Sequence, residues 1–375
     1  MKTKLLHISA NTYPPLDGKH HHTKNIWKEL SKSFDEYHIL ARCETNKYSF
    51  SQEGNIYLHL VPRITKKSKI FFFTSFWMFY IIKKYEITHL LSQCPIVGGF
   101  SASLASKFFK IPLMVEIHGD VYFKFMKEAS LKDKIFSIIT KFTFNNATKI
   151  RSLSSTMNIM LKNDGIKNNY VVIPNRVNLS LFDTKKISYE LHKPIKIISI
   201  GRFVEQKGYD IAIEVIKELS EKYNIELYLI GGGTLYEKFD SMSKGFENIK
   251  LIKWIEQKEL KVLLEETDIY IQPSKPFFGE AMPRTILEAM AMKLPIISTN
   301  IAAIPGVLEN KKNALLIKPN SKEELKQALE TLIGDDNLRE QIAKQAYKDV
   351  LDKYEWNKVF ELYRNELKSM KYENA

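Results

Sequence analysis

Short runs of β-branched and aromatic residues recur along this chain between longer, helix-patterned stretches, and the series runs twice. The first series comprises residues 4–8, 37–40, 56–61, 87–91, 112–117 and 170–173. The second comprises residues 195–200, 226–230, 269–271, 295–298 and 314–317. Strands separated by helices pair through crossovers, which predicts a parallel sheet with helices packed on its faces in each series. A polar stretch without strand character, from about 178 to 194, separates the two. It predicts a first doubly wound α/β domain over 1–178, a linker over 179–194 and a second over 195–354. A chain of 375 residues is too long for one ordinary core and suits two. Leu325, Leu329 and Leu332 recur at helical spacing, and the segment holding Trp356, Phe360, Leu362 and Tyr363 predicts a packing helix rather than a tail.

Composition narrows the class. Apolar residues make up 44% of the chain and charged residues 26%, as in soluble globular proteins. Two cysteines, Cys43 and Cys94, cannot make a disulfide framework, which points to a reducing compartment. The N-terminal apolar run is broken by His7 and ends before Asn11, too short for a signal-peptide core. The longest apolar run, 70–82, falls short of the roughly 20 residues of a membrane span. A cytoplasmic protein is the expectation.

Charge is unevenly placed. Residues 1–190 hold 28 of the 56 Lys and Arg but only 14 of the 43 Asp and Glu, a net of +14, which leaves the remainder at −1. Such asymmetry points to an anionic partner: a membrane surface, a nucleic acid or an acidic substrate. No nucleic-acid module is recognisable, and no nucleic acid is expected as partner. The basic run 63–69 leads into the aromatic run 70–82 and then Lys83 and Lys84. That pattern suits a helix in a membrane interface, placing the chain peripherally on the cytoplasmic face of the membrane, and equally suits a buried helix with a solvated basic end.

Chemistry-bearing residues concentrate after strand ends. Between 272 and 299 a strand is followed by a loop carrying Glu280 and by a helix beginning near Pro283. Proline suits a helix's first turn, whose free N–H groups and positive dipole end form an anion site. Glu280 and Glu288, eight residues apart, are acceptor-only groups suited to two sets of sugar hydroxyls, although surface helices often show the same spacing. Arg202 follows a strand directly and Lys207 precedes the next helix, so two cations sit at the carboxyl edge of a parallel sheet, where doubly wound folds bind ligands. A guanidinium fork and an ammonium can stabilise a departing diphosphate. His118, Gly119 and Asp120 follow another strand end, and Asp17 and Gly18 lie in the loop after the first strand, where glycine permits close approach. No Asp-x-Asp occurs, and the adjacent His20, His21 and His22 point in different directions, so no metal site is predicted. No Gly-x-Gly-x-x-Gly follows the first strand, which argues against a dinucleotide-dependent dehydrogenase.

Several of these segments, taken in order, resemble the family-4 retaining glycosyltransferases of GT-B fold. They are Ile173-Pro174-Asn175, Gly201-Arg202 with Lys207-Gly208, Ile230-Gly231-Gly232-Gly233, Phe278-Gly279-Glu280, Glu288, Ala289-Met290-Ala291 and Pro295-Ile296-Ile297. The resemblance implies two Rossmann-like domains facing a cleft, with the last helix, 355–375, packing back on the first. It implies transfer of a hexose from a UDP- or GDP-sugar to a saccharide or lipid-linked acceptor, with retention of configuration, in surface polysaccharide, lipopolysaccharide or glycolipid biosynthesis. The nucleotide sugar is then a substrate, and neither cofactor nor metal is required. By the same resemblance His118 contacts the donor sugar near its reacting carbon, and Arg202, Lys207 and Glu280 complete the catalytic set. Gly18, Ala281, Met282, Pro283 and Glu288 add donor contacts, and Asp120 and Asn175 touch sugar or acceptor. Lys19, Arg176 and Lys293 stand where the family usually has glycine. Two other readings remain at this stage: a GT-B relative acting on the nucleotide sugar itself, such as an epimerase or phosphorylase, and a noncatalytic nucleic-acid-binding protein.

Overall fold

The computed structural model describes residues 2–13, 21–62, 74–96, 98–118, 130–185, 188–276 and 282–372. The chain forms two compact units, Met1–Ile173 with Phe360–Ala375, and Pro174–Val359.

The first unit is built on strands β1 (Lys4–Tyr13), β2 (Glu36–Cys43), β3 (Ser49–Glu53), β4 (Ile56–Val61), β5 (His89–Ser92), β6 (Leu113–Glu116), β7 (Lys149–Ser152) and β8 (Tyr170–Val172). Between them run helices α1 (His21–Ser31), α2 (Thr74–Tyr85), α3 (Gly99–Phe109), α4 (Leu131–Asn145) and α5 (Ser155–Asn163). The sheet order is β3-β4-β2-β1-β5-β6-β7-β8, parallel except for β3, which pairs antiparallel with β4. The second unit carries β9 (Ile195–Ile200), β10 (Ile225–Ile230), β11 (Ile249–Ile252), β12 (Ile269–Gln272), β13 (Ile296–Thr299) and β14 (Leu315–Ile317). Its helices are α6 (Tyr209–Leu219), α7 (Tyr236–Ser243), α8 (Gln257–Glu265), α9 (Arg284–Ala291), α10 (Lys322–Gly334) and α11 (Asp336–Lys353). Here the order is β11-β10-β9-β12-β13-β14, all parallel. A last helix, α12 (Trp356–Lys368), belongs to the first unit from Phe360 onward.

Both sheets run outward from a central first strand and then reverse, between β1 and β5 in one and between β9 and β12 in the other. Ligands of doubly wound sheets bind beyond the strand ends at such reversals. The near-continuous apolar strands follow from burial on both faces. In the second unit Ile197, Leu227, Leu229, Ile269, Ile271 and Ile297 of the sheet join Phe203, Tyr209, Ile213, Phe239 and Leu329 in one core.

Three strands escaped the sequence reading. β3 is a polar edge strand, SFSQE, largely open to solvent. β11 is only four residues long, and its lysine breaks the apolar run. β7 contains Arg151, a residue that buried strands seldom carry, and it is buried here because Glu116 neutralises it. The division between units also falls earlier, after Ile173, so the stretch 179–194 read as a linker groups with the second unit. Its polar composition hid specific anchors. The buried Arg339 donates from Nε and Nη2 to the Tyr189 carbonyl at 3.1 and 3.0 Å, and the His192 ring lies 2.7 Å from Asp268. Among the described residues no helix is long and apolar enough to cross a membrane.

Candidate active site

At the reversal of the second sheet, β9 ends at Ile200 and the chain passes through Gly201, Arg202 and a short 3-10 turn, Glu205–Lys207, into α6. The turn fits against the end of β12 because residue 208 is glycine. Gly208 has φ +65°, and a Cβ there would stand 2.0 Å from the Pro273 carbonyl oxygen. Only a residue without a side chain meets both demands. Gly231, with φ +146°, plays the same part against Gly201, whose carbonyl oxygen would lie 1.9 Å from a Cβ at 231. The Lys207 stem crosses Gly201, its Cε 3.0 Å from where a Cβ would stand. Lys207 is thus held at the strand end. Arg202 is exposed, and among the described residues its side chain has no hydrogen-bond or ion-pair partner.

The neighbouring loop is braced by groups that the sequence reading did not single out. Lys275 binds Glu205 at 2.5 Å and Asp210 at 2.6 Å, and its backbone N–H donates to the Gln206 carbonyl at 2.8 Å. Burial opposes charge on Lys275, but bonds to Asp210 and Glu205 hold its pKa above the usual lysine value. Lys275 is therefore neutralised locally, whereas Arg202 faces solvent. The Tyr270 hydroxyl bonds Gln272 Oε1 and Thr285 Oγ1, each at 2.8 Å, and so ties β12 to the first turn of α9. Asn175, expected to touch sugar or acceptor, donates from Nδ2 to the Met282 carbonyl at 2.6 Å. In this position it fastens the chain just before α9. Pro283, whose ring offers no acceptor, takes the N-cap place of that helix in extended conformation. Trp254, which the sequence reading also passed over, is largely exposed beside Gly232, 3.5 Å from the position of an added Cβ. A flat exposed indole is a surface on which a base can stack.

Glu288 lies one turn into α9. It retains some exposed surface, but its carboxyl is enclosed by protein. Burial outweighs the opposing pull of Arg284 and pushes the pKa from 4.5 up to about 7. An acid with a raised folded pKa adds stability that is full below its unfolded pKa and lost as pH rises through the folded one. Relative to Glu288→Gln, the wild-type protein should therefore lose about 2 kcal/mol between pH 4.5 and pH 7, after allowance for its remaining exposure. Urea denaturation across that range checks this, and parallel profiles for the two proteins would contradict it. A ligand hydroxyl donating to the carboxylate selects its ionised form.

The first unit has its own cluster at the carboxyl ends of β6 and β7. Glu116, buried, accepts hydrogen bonds from Arg151 Nη1 and from the Tyr363 hydroxyl at one oxygen, and meets His118 Nε2 at 2.8 Å with the other. Burial would raise its pKa, but the Arg151 guanidinium, His118 and Tyr363 together hold it well below the usual carboxylate range. The exposed imidazole of His118 is thus oriented by an ionised carboxylate. When neutral it carries its proton on Nε2 and leaves Nδ1 as an acceptor. His7, buried nearby, is kept neutral, its pKa lowered by burial to about 4. Glu116 was legible only as a strand residue, Arg151 lay in a strand that the sequence did not reveal, and Tyr363 was legible only as a packing residue of the last helix.

Arg202 and Lys207 follow β9, and Met282, Pro283 and Glu288 lie at and within the start of the helix that follows β12, the two strands that flank the reversal of the second sheet; His118 stands at a strand end of the other unit. Gly18, Asp120, Glu280 and Ala281 lie outside the described residues.

The Glycosyltransferase Family 4 model matches residues 16–181, and the Glycosyl transferases group 1 model matches residues 182–349. The chain is 26% identical over 350 residues to the uncharacterized glycosyltransferase MJ1178 of Methanocaldococcus jannaschii, covering 92% of this chain and 93% of that one. It is 33% identical over 144 residues to the amylovoran biosynthesis glycosyltransferase AmsK of Erwinia amylovora, covering 36% and 34%. The structure of Anabaena HepE in complex with UDP superposes with a TM-score of 0.77 over 98% of this chain and 100% of that one. At 14% identity this is a likeness of fold.

Proposed function

We propose that this chain, which belongs to the group 1 glycosyltransferases and has their GT-B fold, transfers a hexose from a UDP- or GDP-sugar to a saccharide or lipid-linked acceptor with retention of configuration. The pathway would be assembly of a surface polysaccharide or glycolipid; one relative is named for amylovoran biosynthesis. The observation that carries the reading is the placement of Arg202 and Lys207 at the strand reversal of the second sheet, after β9, with the helix that follows β12 opening on a proline that offers no side-chain cap, while the nearby Lys275 is neutralised. A nucleoside diphosphate leaving the sugar gains negative charge. Preorganised cations and helix N–H groups aimed at that charge lower the barrier without reorganising.

In this reading Arg202 and Lys207 hold the diphosphate and take the part a divalent metal plays in other transferases. Backbone at Ala281, Met282 and Pro283 adds donor contacts at the helix start. Glu288 and Glu280 accept hydrogen bonds from ribose and hexose hydroxyls respectively, and Gly18 lets the first unit's loop approach the phosphates. His118 contacts the hexose near its anomeric carbon, and Asp120 lies on the acceptor side. The acceptor hydroxyl attacks the anomeric carbon from the face that the diphosphate leaves. An oxygen–carbon bond to the acceptor forms as the carbon–oxygen bond to phosphate breaks, and the acceptor proton passes to a phosphate oxygen. No side chain acts as nucleophile.

The test is turnover of labelled UDP- and GDP-hexoses with saccharide and lipid-linked acceptors, the product's anomeric configuration being read by NMR. The expected result is a glycoside of the donor's configuration, formed equally well with chelator present. An altered free sugar without acceptor product would replace the transferase by an epimerase or phosphorylase. Activity that disappears with chelator and returns with manganese would remove the role given to the two cations.

A further inference from the structure

Helices α2, α3 and α4 pack side by side on one face of the first sheet. Their outer surface is unusual in two respects. Large apolar side chains stand in solvent along it: Phe76 is 76% exposed, Phe108 72% and Ile138 68%, with Tyr80, Leu104 and Ile135 beside them. The pairs 76/80, 104/108 and 135/138 recur at helical spacing, so each helix presents one stripe outward. Ring contacts join the stripes. Phe79 of α2 meets Phe108 of α3 with ring centroids 5.4 Å apart, and Phe100 of α3 meets Phe142 of α4 at 5.4 Å. Monomeric proteins rarely leave so many large apolar groups contiguous in water, and such a patch marks a docking surface.

Charge identifies the occupant. Helices α2 and α3 contain no acidic residue, and the only one on α4, Asp133, is buried. Lys83, Lys84, Lys107 and Lys134 are exposed on the same helices. Two of these lysines lie over aromatic rings: Lys84 Nζ is 5.4 Å from the Tyr80 ring centre, and Lys107 Nζ is 5.4 Å from that of Phe142. Apolar rings with ammonium groups beside them, and no exposed carboxylate within the three helices, fit a bilayer interface, where rings enter the headgroup region and lysines meet anionic lipid. A second copy of the chain would bring lysines against lysines. We infer that the α2–α3–α4 face docks the protein on an anionic lipid surface through Phe76, Phe108 and the flanking lysines. This goes beyond the transfer reaction and does not depend on it.

Sedimentation of the full chain with vesicles tests the inference, using phosphatidylcholine alone or mixed with phosphatidylglycerol. The wild-type protein should pellet with the anionic vesicles, and less so as salt is raised. Each of Lys83→Glu, Lys84→Glu and Lys107→Glu should lower partitioning about five-fold or more. Phe76→Ser with Phe108→Ser should lower it by at least about ten-fold. These side chains are exposed, so circular dichroism of the variants should match wild type. Absence of binding to anionic vesicles, equal binding to neutral ones, or binding unchanged in both variant sets would each overturn the inference. So would a wild-type dimer in solution that the Phe76→Ser, Phe108→Ser protein no longer forms, since the face would then belong to a second copy.

Discussion

Arg202→Ala is expected to lower the turnover of sugar transfer by about 100- to 1,000-fold, the usual effect of removing one preorganised group from a site of developing charge. Stability should change by no more than about 0.5 kcal/mol, because Arg202 is exposed and its side chain has no partner among the described residues. That combination separates a role in the reaction from a role in the fold. Lys207→Ala should lose activity to a similar degree with a somewhat larger cost in stability, since its stem packs across Gly201. The double variant should fall short of the product of the two single effects if both cations hold one diphosphate. Arg202→Lys should recover only part of the rate, because an ammonium cannot make the paired bonds of a guanidinium to phosphate. Wild-type kcat/KM in Arg202→Ala would refute the assignment outright.

The second large effect is on stability, in the first unit. Glu116→Ala should cost about 3–5 kcal/mol, measured by urea denaturation, because it removes the buried carboxylate that is ion-paired with the buried Arg151 and accepts from the Tyr363 hydroxyl. Replacing both Glu116 and Arg151 by apolar residues of similar volume should cost far less than the single change. The sign of the pH dependence follows from the lowered pKa of Glu116. Its contribution is complete above the ordinary carboxylate value of 4.5 and is lost as pH falls through the lower folded value, so wild type should weaken in acid more steeply than Glu116→Ala. A cost under about 1 kcal/mol would mean that Arg151 finds other partners or water. Because Glu116 also holds Nε2 of His118, Glu116→Gln, which retains the side chain's shape, should alter the pH profile of transfer beyond any change in stability.

How much could be read beforehand differs between the two units. Arg202, Lys207 and Glu288 were visible because each follows a strand end or helix start at a spacing that local structure dictates. A parallel βαβ unit delivers such residues to one sheet edge wherever the rest of the chain goes. The His118–Glu116–Arg151–Tyr363 cluster was not visible. Its members come from β6, β7 and a helix almost 250 residues away, and nothing near Tyr363 in sequence marks it as the partner of a carboxylate. The same holds for the exposed face of α2, α3 and α4. The apolar residues there look like core residues in sequence, and only packing decides which of them are left in solvent.

Sequence by itself therefore determined the double series of strands and helices, the parallel sheets, and the cations and carboxylate at the reversal of the second sheet. These follow from period, turn chemistry and crossover geometry, all of which act over short stretches of chain. Tertiary structure alone decided that Arg151 is buried and neutralised, that Asn175 holds Met282, that residues 188–194 are fastened by Asp268 and Arg339, and which aromatic rings meet water. Each of those depends on groups distant in sequence satisfying one another's charge or hydrogen bonds. That pairing exists only once the chain has closed on itself.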